Sequence, residues 1–161
     1  MRRLISLIAI ASALTLATSV VVARAPDQVL TTGDERVVPN AMVQATLRFT
    51  PGMIQVASDN ELTWTDIDEQ QAPHTATIVE EFPDSTLEAI FGCVPCAAAL
   101  AAHGASGPVV DVGAQGFDEP GDSLLFGDSQ EISAEVTAPA GTKLKYLCAI
   151  HPWMQGEIVV K

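Results

Sequence analysis

Basic side chains are scarce in this chain. Its 161 residues hold 8 Lys and Arg against 20 Asp and Glu, a formal net charge of −12. Beyond residue 25 only Arg36, Arg48, Lys143, Lys145 and Lys161 remain, and they form no cluster. Phosphate backbones are gripped by clustered Lys and Arg, so this shortage argues against a nucleic-acid-binding protein. No Ser or Cys stands in a recognisable arrangement with a base, which argues against hydrolytic chemistry. Internal repeats are missing as well. The length excludes a large multi-domain enzyme, since one core usually takes about 100–200 residues. Disorder is excluded too, because 48% of the chain is hydrophobic. A small acidic binding or electron-carrying domain is left.

The N-terminus reads as an address. Met1, Arg2 and Arg3 precede an uncharged run from Leu4 to Ala23. A basic start and an apolar middle are the pattern of an export signal, with candidate cleavage sites after Ala23 and Ala25. The run is also close to the roughly 20 residues that cross a bilayer, so a retained anchor is the alternative. Either reading places residues 26–161 outside the cytoplasm, in a periplasmic or other extracytoplasmic space, as one domain. Residues 1–25 hold three of the arginines and no acids, so the remainder carries 5 basic and 20 acidic groups, a net of −15. Such a surface steers basic partners at low salt.

Apolar and polar residues alternate over 41–49, and short β-prone runs follow at 53–56, 62–65 and 75–79. The stretch 66–73 is polar and reads as a loop ending at His74. The pattern changes at Pro83, where Ser85 and Glu88 have the spacing of a capping box. Leu87 to Ala102 is rich in Ala and Leu and predicts one or two short helices, closing at Gly104. The stretch 104–116 reads mostly as loop with room for a short strand at 109–112, and strand signals return at 123–126, 131–137, 143–148 and 157–161. Seven or eight short strands with turn signals predict an antiparallel β-sandwich with a helical insertion around residues 84–103. Trp64 and Tyr146 are assigned to its core.

Only three cysteines and three histidines are available to any metal. Cys93 and Cys96 stand as C-V-P-C and are close enough to pair, which export would favour. Cys148 is then left over, and an unpaired cysteine in an exported protein needs a reason. Its neighbours supply one. Cys148, His151 and Met154 form C-x-x-H-x-x-M between two strand signals. Thiolate and thioether sulfurs are soft donors that suit copper, and imidazole suits both its oxidation states. Two imidazoles, one thiolate and a long axial thioether make the trigonal site that holds copper for electron transfer. The loop provides three of these groups, so a distant histidine must be the fourth. His74, at a strand end, is the stronger candidate; His103, in the Ala-rich insertion, is the weaker.

These pieces resemble a type 1 blue copper protein of the cupredoxin family, whose fold is a Greek-key β-sandwich. The resemblance is carried by Phe49-Thr-Pro51, Ile54-x-Val56, Leu62-x-Trp64, Pro73-His74-Thr75, Pro139-x-Gly141-Thr142 and Tyr146-x-Cys148-x-x-His151-Pro152-x-Met154-x-Gly156. Together they cover most of residues 41–81 and 117–161. The two-residue gaps on both sides of His151 are most similar to amicyanin; plastocyanins have a longer gap before the methionine. The resemblance implies one copper ion with His74, Cys148 and His151 as equatorial ligands and Met154 as the axial one. It also implies a one-electron carrier, not an enzyme, with Thr75 beside the ligands and His151 and Trp153 at the electron port. A dehydrogenase or a c-type cytochrome is the expected redox partner. The departure from the family is the stretch from Glu80 to Gly116. There Cys93, Cys96 and His103 read as a disulfide, a redox-active thiol pair or a second metal site. The last of these would make the protein a copper storage or delivery protein instead.

Overall fold

A computed structural model describes residues 27–68, 72–127 and 129–161; the expected export segment, 1–25, lies outside the described residues. In chain order the elements are β1 (Asp27–Thr32), β2 (Glu35–Val38), β3 (Met42–Ala45), β4 (Arg48–Thr50), β5 (Met53–Val56), β6 (Asn60–Asp66) and β7 (His74–Val79). Helices α1 (Leu87–Phe91) and α2 (Val94–Ser106) follow. The chain ends with β8 (Val109–Val110), β9 (Ser123–Phe126), β10 (Glu131–Val136), β11 (Lys143–Leu147) and β12 (Gln155–Val160).

Two sheets form the sandwich. One has the order β10-β6-β1-β4 and the other β5-β12-β11-β7-β9-β8. Side chains at alternate strand positions meet between them, as a pleated strand requires. Val29, Leu62, Trp64, Tyr146 and Ile158 are each fully buried there. The Trp64 ring lies edge-on to Phe117 at 5.1 Å and to Tyr146 at 5.9 Å between centroids. Gly156 is required opposite, since a Cβ there would run into the Tyr146 ring.

The expected all-β sandwich with a helical insertion is therefore present, with corrections in detail. Two pairings are parallel, β1 with β6 and β5 with β12. The run 41–49 is two strands: β3 pairs with β2 in a separate hairpin, and β4 joins β1. The chain leaves β1 through Gly33, at φ 118°, where a Cβ would strike the Thr46 carbonyl. Neither β1 nor the hairpin was predicted. In the insertion the first helix is capped by Thr86, whose hydroxyl accepts the Ala89 N–H, and not by Ser85. The helices break at Gly92–Cys93, Pro95 falls in the first turn of α2, and α2 runs past Gly104 to end at Gly107.

All six residues of β7 are buried, because both its faces are covered. Ala76 and Ile78 point into the sandwich, whereas Val79 packs with Cys96 and Ala99 of α2 and with Ala149. The insertion thus lies over the strand that begins with His74 and over the loop that follows Cys148.

Candidate metal centre

The pairing of strands brings together residues far apart in sequence. Leu147 pairs with Thr77 on one side and with Gln155 on the other, so the loop 148–154 emerges beside the start of β7. Two backbone bonds close that loop: Cys148 N–H to the Met154 carbonyl, 3.0 Å, and Met154 N–H to the His151 carbonyl, 2.8 Å. Its side chains consequently converge. Cys148 Sγ lies 3.8 Å from His74 Nδ1 and 3.7 Å from His151 Nδ1, and the two nitrogens are 3.3 Å apart. All three residues are buried, and Met154 is fully buried in the same core.

A triangle with those sides (3.3, 3.7 and 3.8 Å) has its centre about 2.1 Å from each corner. First-row ions bind imidazole at roughly 2.0–2.1 Å and thiolate at roughly 2.3 Å, so the three atoms fit one such ion.

The electrostatics prepare the sulfur for that task. Burial pushes the Cys148 thiol up, but contacts with His151 and His74 and the Thr75 N–H pull it further down, to about 6. A thiolate, not a thiol, is the metal ligand. Thr75 N–H at 3.3 Å and His151 N–H at 3.4 Å both donate to the sulfur. For His74, burial lowers the affinity for a proton, yet the Cys148 sulfur and then Asp68 raise it above the ordinary value.

Sequence reasoning missed the groups behind His74. Its Nε2 faces Asp68 Oδ2 at 2.5 Å and Asp66 Oδ1 at 4.0 Å, all three residues being buried. A carboxylate there accepts the Nε2 proton and leaves the Nδ1 lone pair facing Cys148. Asp66 is held in turn by the Thr31 hydroxyl, 2.7 Å, and the Asp68 N–H, 3.1 Å. A signal did exist: Leu62, Trp64 and Asp66 share the inward face of β6, and a carboxylate at a core position needs partners. On the outer side, His151 Nε2 is 3.9 Å from Glu35 Oε1 of the hairpin. The His151 ring lies 5.3 Å from Trp153, which is 6.5 Å from Phe91 of α1.

His103 is not brought to this cluster, nor do its ring nitrogens remain open. Nδ1 donates to the Gly107 carbonyl at 2.7 Å and Nε2 accepts from the Ser123 hydroxyl at 2.8 Å. Ser123 continues through Thr77 to Thr75, whose hydroxyl accepts the Ala149 N–H. Cys93 and Cys96 are joined to each other as a disulfide. The second metal site considered for Cys93, Cys96 and His103 is therefore not assembled. A cleft of about 560 Å³ between α2 and β7 is lined by residues such as Val79, Ala99 and Val112, and by none of the four candidate ligands.

No protein-family model matches the chain, and no curated protein matches it. Among solved structures it is similar to auracyanin A, a "blue" copper protein from the green thermophilic photosynthetic bacterium Chloroflexus aurantiacus. Identity there is 18% and the TM-score 0.49, over 85% of this chain and 100% of that one. It is also similar to a novel purple cupredoxin from Nitrosopumilus maritimus, at 15% identity and TM-score 0.47, over 84% and 100% of the two chains. Amicyanin from Paracoccus versutus matches at 12% identity and TM-score 0.42, over 86% of each.

Proposed function

We propose that this chain is a type 1 copper protein of the cupredoxin family that carries single electrons between protein partners. The observation that carries the reading is the convergence of one buried sulfur of lowered pKa and two imidazole nitrogens on a point about 2.1 Å from each. Bound copper would supply the redox change, alternating between Cu(I) and Cu(II).

The residues contribute the rest. Cys148, His74 and His151 would hold the copper, and the buried Met154 thioether would add a weaker soft donor. A set of two imidazoles, one thiolate and a weak thioether suits copper, whereas structural zinc takes four strong tetrahedral ligands. Asp68 orients His74, and the two N–H groups on the Cys148 sulfur withdraw charge from it, so both tune the potential. Fast electron transfer needs ligands that do not rearrange. The backbone bonds closing the loop and the carboxylates behind His74 provide that stiffness.

His151 is 8% exposed beside Trp153, and this edge is the electron port in our reading. The excess of acids favours a partner with a basic rim, either a dehydrogenase or a c-type cytochrome. The basic start and apolar run of residues 1–25 support work outside the cytoplasm, with the protein released or held by that segment. Storage or delivery of copper has no support from the insertion, where sulfur and imidazole are already engaged. An oxidase or reductase would need a further open metal site, and His103 is the one histidine left for it.

Optical and paramagnetic-resonance spectra of the Cu(II)-loaded protein test the proposal. An intense visible thiolate-to-copper band, absent in Cys148→Ala, is expected. A colourless, weakly bound Cu(II) would refute the reading.

A further inference from the structure

The proposed copper chemistry leaves the C-V-P-C segment unused. Cys93 is the N-cap of the 13-residue helix α2, and its sulfur accepts the Cys96 N–H at 3.3 Å. The disulfide to Cys96 spans a separation of three residues, all within the first turn of one helix. So short a loop restricts the unfolded chain less than a long one does, which puts a bridge of this kind at the weak end of staples. Other contacts already hold α2 in place. Ala99 packs with Val79 and Ala149, and the His103 ring is tied to Gly107 and Ser123.

The two sulfurs are not equivalent. Cys96 is 4% exposed and sits in the small core under α2, whereas Cys93 is half-buried at the helix start. Unpaired N–H groups and the helix dipole stabilise an anion at that start, which lowers the pKa of a thiol placed there. Pro95 stands between the cysteines and removes one N–H that would otherwise be left unpaired. Around the bridge, Phe91 and Val94 are 74% and 76% exposed, an apolar collar next to the disulfide.

We infer that Cys93–Cys96 is a redox-active disulfide that exchanges two electrons with a protein dithiol. In the reducing direction, one partner thiolate attacks Cys93 Sγ. A partner–Cys93 disulfide forms, the Cys93–Cys96 bond breaks, and Cys96 leaves as a thiolate that takes up a proton. The second partner thiolate then attacks the partner sulfur of the mixed disulfide. The partner becomes oxidised, and Cys93 is released as a thiolate at the helix N-terminus. Two electrons and one proton have passed from the partner dithiol to the bridge, the dithiol's second proton going to solvent, and the reverse sequence oxidises a dithiol substrate. This inference does not depend on the copper reading.

The test equilibrates the full folded chain with mixtures of reduced and oxidised glutathione as the probe, then alkylates it and maps each cysteine by peptide mass. Reduction of the bridge at millimolar reduced glutathione is expected while the circular dichroism stays native. In the reduced protein Cys93 should alkylate roughly tenfold or more faster than Cys96 at neutral pH. Cys96→Ser should accumulate a glutathione adduct on Cys93. Peptide mapping keeps Cys148 separate in every sample. A bridge that stays closed until the protein unfolds would overturn the inference, as would equal reactivity of the two thiols. Should Cys96→Ser fail to fold, the wild-type titration decides between these outcomes by itself.

Discussion

At the end of the sandwich, His74, Cys148 and His151 turn their donor atoms toward one point. In the helical flap the same atom types are already occupied: Cys93 and Cys96 by each other, and His103 by Gly107 and Ser123. Both regions are rich in groups that bind metals in other settings, but the first is buried throughout, whereas in the mostly exposed flap only Cys96 and His103 are buried and Cys93 is half-buried. They differ in what the surrounding backbone leaves open. Strand pairing aims three donor atoms at one point from two directions, with carboxylates behind the far nitrogens and two backbone N–H groups on the sulfur. In the flap, groups one turn away on the helix and a hydroxyl on β9 satisfy these atoms instead. Convergence of donor atoms on one open point, and not residue type, separates a candidate metal centre from a structural cluster.

The sharpest way to break that contrast is Cys148→Ala. It should abolish the visible band and lower copper affinity by more than the roughly 10–100-fold that outer-shell changes cost, read by copper titration. His74→Ala should also remove the blue signature, because the one remaining candidate, His103, is bonded elsewhere. If a blue spectrum survived, His74 would not be a ligand. A finer effect is expected at Asp68→Asn, which keeps the shape and removes the charge behind His74. Copper(II) affinity should fall by roughly 10–100-fold and the reduction potential should rise, since a buried carboxylate favours the more positive ion. Voltammetry checks the direction; an unchanged potential would reduce Asp68 to packing.

Changes in the flap should be milder. The double variant Cys93→Ser, Cys96→Ser should keep the copper spectrum and lose about 2 kcal/mol of stability or less by chain entropy, measured by denaturant unfolding. The smallest effect concerns pH in the copper-free protein. Cys148 has its folded pKa lowered from 9.0 to about 6, so its contribution is complete above about 9 and is lost as pH falls through about 6. The raised pKa of His74 acts oppositely, stabilising below 6.5 and fading at higher pH. The stability difference between wild type and Cys148→Ala should accordingly shrink from pH 9 to pH 6.

Much of this was legible before folding was considered. Cys148, His151 and Met154 lie within seven residues between two strands, so local spacing alone gathers them. His74 was legible by elimination among three histidines and from the strand that follows it. The carboxylates were not. Asp66 and Asp68 precede His74 in a polar stretch that reads as a loop, and only pairing of β6 with β1 and β10 turns Asp66 inward. Glu35 was missed for the same reason, since the β2–β3 hairpin reaches His151 through space. The capping error at Ser85 is a different kind of miss: Thr86 offers an equivalent hydroxyl one residue later, and propensity does not discriminate between them.

Residue order alone therefore determined the soft donor set, the alternation that makes a sandwich, and the acidic character of the surface. These depend on identities and short spacings, which folding does not alter. Tertiary structure decided which histidine meets the sulfur, which carboxylates stand behind it, and that the cysteine pair closes on itself. Those outcomes depend on strand register and helix packing, where contacts between distant segments set distances that no local pattern encodes.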